Sequence, residues 1–208
     1  YVLYYAAESI DLKSLLKIKT GQVAYDKFKN KGISKLDSKG SAKLEYRCPQ
    51  SYSQNKITYL PHIHFIVSNK NNTKWIEKLY TQAVICTVNK KQVNTEIKNG
   101  ETMIINSLPF DEYIKSYIPN SIPLPYTDVI EKVTSEETIN YLKKMLVHYP
   151  KIFKAVKEKK INLLDIPIIV YCYYEKCDAS HKLIEKMWSM GFRNIRHYPG
   201  GIVDYNKK

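Results

Sequence analysis

Between residues 40 and 88 the chain reads as short runs of β-branched and aromatic residues separated by polar turns, with almost no helical periodicity. The runs fall at residues 42–46, 57–59, 62–67 and 80–88, and they predict an all-β region. A polar stretch at 89–100, where Lys, Asn and Gly cluster, is the expected linker ahead of the apolar run 103–105. Beyond it the texture changes. Thr134 and Glu137 form a capping box before Ile139, Leu142, Met145 and Leu146, whose spacing gives one apolar helical face. Residues 167–173 are a continuous apolar run of strand length. Ala179, Leu183, Ile184, Met187 and Trp188 then mark another amphipathic helix, closed by Gly191, and residues 193–198 read as a short strand. Strands alternating with helices predict a parallel sheet wrapped by helices. The expected organisation is therefore two domains, all-β over 1–98 and α/β over 99–208.

A length of 208 residues accommodates two domains, and 44% hydrophobic with 25% charged residues is enough to bury a core. The net charge of +13 is unevenly placed. Residues 1–100 hold 17 Lys and Arg against 7 Asp and Glu, whereas residues 101–208 hold 16 against 13. A basic N-terminal half attracts polyanions, an anionic membrane surface or an acidic protein partner. Arg47, Arg193 and Arg196 are the only arginines, so the bidentate forks favoured for reading nucleic acid are scarce, and nucleic-acid binding is disfavoured. Abundant Lys, Asn, Ile and Tyr fit an AT-rich genome such as that of a protist or a large DNA virus.

Cys48, Cys86, Cys172 and Cys177 are too sparse for a disulfide-stapled scaffold and lack zinc-ribbon spacing, so a cytoplasmic or other reducing compartment is expected. No apolar run approaches membrane-spanning length. The 7 glycines leave no phosphate-cradling loop, which argues against nucleotide-driven chemistry. His148, His181 and His197 share no ligand spacing and are expected on a surface or a domain seam.

One candidate site follows the run Ile168-Ile-Val-Tyr-Cys172. A sulfur at the carboxyl end of a parallel strand, facing a helix N-terminus, meets unpaired amides and the positive end of the helix dipole, and both stabilise a thiolate. The competing reading is a small buried core residue. Pro167-Ile-Ile-Val-Tyr-Cys172, Cys177-Asp-Ala-Ser180 and Met190-Gly-Phe-Arg-Asn-Ile-Arg-His-Tyr-Pro-Gly-Gly-Ile202, followed by Tyr205, resemble the rhodanese signature. Upstream, Ile105-Asn-Ser-Leu-Pro109 and Ile118-Pro-Asn-Ser-Ile-Pro-Leu-Pro125 are similar to the family's entry strand and the segment after it. The resemblance spans about residues 101–205. It implies an α/β rhodanese-like domain in which Cys172 carries sulfane sulfur as a persulfide. Tyr173, Tyr174, Glu175, Lys176, Cys177, Asp178, Ala179 and Ser180 would then form the substrate loop, needing no cofactor. Cys177 either resolves the persulfide by closing a disulfide with Cys172 or merely packs; packing is the expectation.

A second candidate lies in Tyr59-Leu-Pro-His62-Ile-His64-Phe-Ile-Val-Ser68. The two-residue period of a strand puts His62 and His64 on one face, where two imidazoles can grip one metal ion. With Tyr52 the set becomes two nitrogens and a phenolate, a ferric ligand group. The stretch resembles intradiol ring-cleavage dioxygenases over about residues 35–90, which implies a β-sandwich and iron (Fe3+) held by Tyr52, His62 and His64. Those enzymes use a second upstream tyrosine, for which Tyr4, Tyr5 and Tyr25 are candidates.

The leading functional expectation is sulfur transfer through Cys172, with a small sulfur donor and acceptor as partners. The alternatives are an inactive structural or assembly protein, virion-associated and binding a partner through its basic half, and an iron-dependent dioxygenase.

Overall fold

The computed structural model describes residues 1–207. The chain divides into two compact units. One comprises Tyr1–Asp11 and Lys19–Val84; the other comprises Leu12–Ile18 and the residues from Ile85 on. The first is built of β-strands with one short helix, and the second is α/β.

In the N-terminal unit the elements run β1 (Val2–Ala6), β2 (Lys19–Thr20), α1 (Gly21–Tyr25), β3 (Lys31–Ser34), β4 (Tyr52–Gln54), β5 (Ile57–Tyr59), β6 (His62–Val67) and β7 (Tyr80–Ala83). They form two sheets. The first has the antiparallel order β3-β1-β6-β7, and the second the order β2-β4-β5, with β2 parallel to β4. Along β1, Val2, Tyr4 and Ala6 are buried while Leu3 and Tyr5 are half-buried, the period of two that a one-sided sheet imposes.

The strand expected at residues 42–46 does not form. The backbone of this segment is satisfied by side chains instead of a ladder. Ser34 Oγ donates to the Lys43 carbonyl, the Tyr4 hydroxyl bonds both the Glu45 carbonyl (3.0 Å) and its amide (3.1 Å), and Asn30 pairs with both backbone groups of Arg47. Tyr4 reaches across because residue 32 is glycine; a Cβ there would lie 2.3 Å from the tyrosine oxygen. The run at 80–88 also breaks. Its first half is β7, and its second half supplies an edge strand of the C-terminal sheet.

In the C-terminal unit β8 (Cys86–Thr87), α2 (Lys90–Asn99), β9 (Met103–Asn106), α3 (Phe110–Lys115), β10 (Ser121–Pro123), α4 (Tyr126–Glu131), α5 (Ser135–Met145), α6 (Pro150–Lys157), β11 (Ile168–Tyr171), α7 (Ala179–Ser189), β12 (Ile195–Tyr198) and α8 (Gly201–Tyr205) follow in order. The five strands lie in the order β10-β9-β11-β12-β8, all parallel. Alternation along the central strands sorts the core into two clusters. Met103, Ile105, Ile168 and Val170 join Leu142, Leu183 and Met187, whereas Ile104, Ile169 and Tyr171 join Val93 and Ile202. Leu16 and Ile18 pack against the first cluster.

The expected linker at 89–100 is helix α2. Asn89 and Gln92 close a reciprocal capping box, and Gly100 ends the helix at φ +65°. Its buried face carries Glu96, which forms a two-pronged ion pair with Arg196 of β12 (2.6 and 2.5 Å). The helix expected after Thr134 is α5, with the capping box formed as read. Among the described residues no helix is long and apolar enough to cross a membrane.

Candidate functional site

Cys172 directly follows β11, the middle strand of the parallel sheet, at its carboxyl end. Side-chain bonds hold the end of this strand. Ser107 Oγ and its amide both donate to the Tyr171 carbonyl (2.9 and 3.0 Å). The Tyr171 hydroxyl takes hydrogen bonds from Asn106 Nδ2 and the Ile118 amide and meets Ser121 Oγ at 2.9 Å. The loop that follows is clasped from the far side. The amides of Ile202 and Val203 in the first turn of α8 donate to the carbonyls of Cys172 (3.1 Å) and Tyr173 (3.0 Å). Gly201 makes the clasp feasible, because it sits at φ +57° and a Cβ there would lie 2.5 Å from the Cys172 carbonyl oxygen.

Only 1% of Cys172 is exposed, as the buried-core reading would have it. Its sulfur, however, is directed into the loop, where it is bonded to Cys177 in a disulfide with Cα atoms 6.3 Å apart. This corrects the expectation that Cys177 merely packs. A turn in which the Cys177 amide bonds the Tyr174 carbonyl (3.0 Å) brings it back to Cys172. The disulfide also means that Cys172 is not a thiolate in this state.

The other predicted loop residues divide by position. Tyr173 and Tyr174 are each 48% exposed and meet edge to face, and Glu175, Lys176 and Asp178 are exposed. Asp178 stands at the N-cap of α7, yet its carboxylate engages Lys182 (2.7 Å) instead of capping. That leaves the first amides of the helix without a side-chain cap. Lys182 in turn holds the Asp178 carboxyl below its ordinary range. Ser180 is fully buried, its hydroxyl 2.8 Å from His197 Nε2. His197, expected on a surface or a domain seam, is buried instead; its ring meets that of His181 with centroids 4.3 Å apart, and burial followed by the charge of His181 lowers His197 to about 4.

In the N-terminal unit β6 carries His62 and His64 on one face, as its period requires. The His62 Nδ1–H donates to the Leu60 carbonyl (2.7 Å), which leaves Nε2 as a lone-pair donor. That atom is 3.1 Å from the Tyr52 hydroxyl, 3.4 Å from the Tyr25 hydroxyl and 3.1 Å from His64 Nε2. Thr81 Oγ1 lies 2.9 Å from His64 Nδ1 and orients that ring. Of the three upstream tyrosines, Tyr25 is the one that converges, its hydroxyl 3.5 Å from that of Tyr52. Tyr4 is committed to Glu45, and Tyr5 meets Tyr25 and Phe28 edge to face and His64 at a tilt. Among the described residues no three or more His, Cys, Asp or Glu gather at a metal-binding point, so the donor set here is two phenols and two imidazoles. Burial first, and then the Tyr52 hydroxyl, push the Tyr25 phenol up; burial and then His62 push His64 down. The cluster opens on a cleft of about 870 Å3 walled by Tyr5, Tyr25, Phe28, Tyr52 and His64.

A parallel α/β sheet with a cysteine at the carboxyl end of its middle strand, ahead of a short loop and a helix, defines a class of cysteine-loop domains. The rhodanese-like domain family matches residues 89–208, more than half of the chain, and the chain belongs to that family. Among solved structures it is similar to the human single-domain sulfurtransferase TSTD1, at 16% identity over 60% of this chain and 100% of that one, TM-score 0.40. It is also similar to the single-domain sulfurtransferase RDL2 of Saccharomyces cerevisiae, at 16% identity over 61% and 92%, TM-score 0.42. The BH2092 protein of Bacillus halodurans is similar at 19% identity over 58% and 70%, TM-score 0.41. No curated protein matches the chain. The family match begins at residue 89, and nothing in these likenesses ties the N-terminal β-sheet unit to intradiol dioxygenases.

Proposed function

We propose that the C-terminal unit is a sulfurtransferase in which Cys172 takes up sulfane sulfur as a persulfide and passes it to a nucleophile. The observation that carries this reading is the direction of the Cys172 sulfur. A core cysteine would point into packed side chains, whereas this one reaches a partner within the loop between β11 and α7. Its partner Cys177 lies two residues ahead of α7, whose N-terminus carries no side-chain cap; in the reduced protein the amides and dipole of that terminus would favour the anion that attacks a sulfur donor. The test is thiocyanate formation from thiosulfate and cyanide by protein first treated with a dithiol. Turnover is expected from the wild type and its loss from Cys172→Ser; equal turnover in the variant overturns the reading.

A second reading rests on the phenol–imidazole cluster. Tyr25, Tyr52, His62 and His64 suit a ferric ion, because phenolates and imidazoles are the oxygen and nitrogen donors a hard trivalent cation accepts. A bound ferric ion supplies Lewis-acid and redox chemistry toward catechol-like rings. The protein's own part is positional: the Leu60 carbonyl fixes the His62 tautomer, Thr81 orients His64, and the aromatic walls of the cleft suit a flat ligand. Protein expressed with iron is expected to contain the metal, to show a visible tyrosinate-to-iron band, and to lose both in His62→Ala. Metal-free wild type would reject the centre.

A further inference from the structure

Sulfur transfer to an outside acceptor needs one cysteine; the loop holds two, and they are joined. The bonded pair shows that the two sulfurs meet without displacement of the clasped part of the loop, since the carbonyls of Cys172 and Tyr173 remain held by α8 and the Tyr171 carbonyl by Ser107. Cys177 is partly exposed while Cys172 is buried, so a persulfide on Cys172 has an internal thiol within reach and is shielded from large acceptors. An attacking group held in place competes at a high effective concentration.

From this we infer a further activity: reductive release of sulfide from sulfane donors, with Cys177 as the resolving residue. The inference rests on the sulfurtransferase reading of Cys172. In the loading step the Cys172 thiolate attacks the outer sulfur of thiosulfate or an organic persulfide. A sulfur–sulfur bond forms to Cys172, the donor's own sulfur–sulfur bond breaks, and sulfite or a thiolate leaves with the electron pair. In the resolving step the Cys177 thiolate attacks Sγ of Cys172. The Cys172–Cys177 bond forms, the persulfide bond breaks, and the outer sulfur departs as hydrosulfide. The sulfane sulfur gains two electrons and the two cysteines lose two between them. An external dithiol, oxidised to its disulfide, restores both thiols by exchange, entering at the more exposed Cys177 sulfur with Cys172 as the leaving thiolate. The bonded state described above is the product of the resolving step.

The experiment is a single turnover. Full-length protein is reduced, freed of reductant without air, and mixed with thiosulfate; sulfite, hydrosulfide, titratable thiols and intact mass are then followed. The wild type is expected to release one sulfite and one hydrosulfide per chain and to finish with Cys172 joined to Cys177. Cys177→Ser and Cys177→Ala are expected to release sulfite alone and to keep the mass of one added sulfur. Wild type that holds a stable persulfide with Cys177 still open to alkylation would overturn the inference while leaving sulfur uptake at Cys172 standing. Hydrosulfide released equally by the Cys177 variants would also overturn it. If neither variant nor wild type gains sulfur or releases sulfite, the sulfurtransferase reading falls and the inference falls with it.

Discussion

His197 projects from β12 toward α7, and its Nε2 is held by the Ser180 hydroxyl at 2.8 Å with the His181 ring alongside. Burial and the neighbouring imidazole lower it from 6.5 to about 4, so the folded chain binds fewer protons here than the unfolded one between those two values. The neutral ring therefore contributes stability that is fully present above about pH 6.5 and is lost as the pH falls toward 4. Urea titrations at pH 7, 5.5 and 4.5 should show the wild type losing its advantage over His197→Gln step by step. A constant difference across the three would reject the assignment. The sequence did not disclose this pair, because Ser180 and His197 are 17 positions apart and meet only when α7 folds back on the sheet. Tyr25 was hidden in a similar way. His62 and His64 share a face by strand period alone, but which tyrosine joins them depends on where α1 lies.

At the scale of elements, α2 shows most clearly what a polar pattern conceals. Its only apolar buried position is Val93, and Glu96 reads as solvent-facing until β12 supplies Arg196, 100 residues later. Both side chains are almost entirely buried, so removing one strands the other's charge. Glu96→Ala is expected to destabilise the unit by about 3–5 kcal/mol, whereas Glu96→Leu combined with Arg196→Met should recover most of that loss. Denaturant melts of the single and double variants measure both. The helix was legible in one respect, the Asn89-to-Gln92 capping spacing, which the cluster of Lys and Asn obscured. Residues 42–46 mislead in the opposite sense: they have strand residues, but their backbone is bonded by Tyr4 and Ser34, with Asn30 taking the adjacent Arg47, and such contacts leave no trace in local pattern. The α8 clasp carries a prediction of its own. Gly201→Ala places a methyl group against the Cys172 carbonyl in a backbone region hostile to side chains. Persulfide formation in Cys177→Ser should fall several-fold when Gly201→Ala is added, with the rest of the sheet retained by circular dichroism; undiminished uptake would show that the clasp does not position the loop.

Over the whole molecule, the order of an all-β unit before a parallel α/β unit was readable, since a strand-and-helix pattern is legible in the sequence after residue 100, although the alternation itself already starts with β8 and α2. The course of the chain between the units was not. Leu12–Ile18 belongs with the C-terminal unit, where Leu16 and Ile18 cover part of its larger apolar cluster, and β8 lies upstream of the expected boundary at residue 98. Nothing in a seven-residue stretch of three leucines, two lysines, a serine and an isoleucine announces which core it will join. A fragment starting at residue 85 should therefore melt at a lower temperature than the same unit in the full chain. Thermal unfolding followed by hydrogen exchange in β9 and β11 would read this directly, and equal protection in the two would show that the early segment adds nothing.

The Cys172–Cys177 ring has one more practical bearing. On the sulfurtransferase reading, protein handled in air would begin every assay with Cys172 already spent, so a competent catalyst would be scored as dead. The first addition of a dithiol, rather than any change of sulfur donor, is what would wake it.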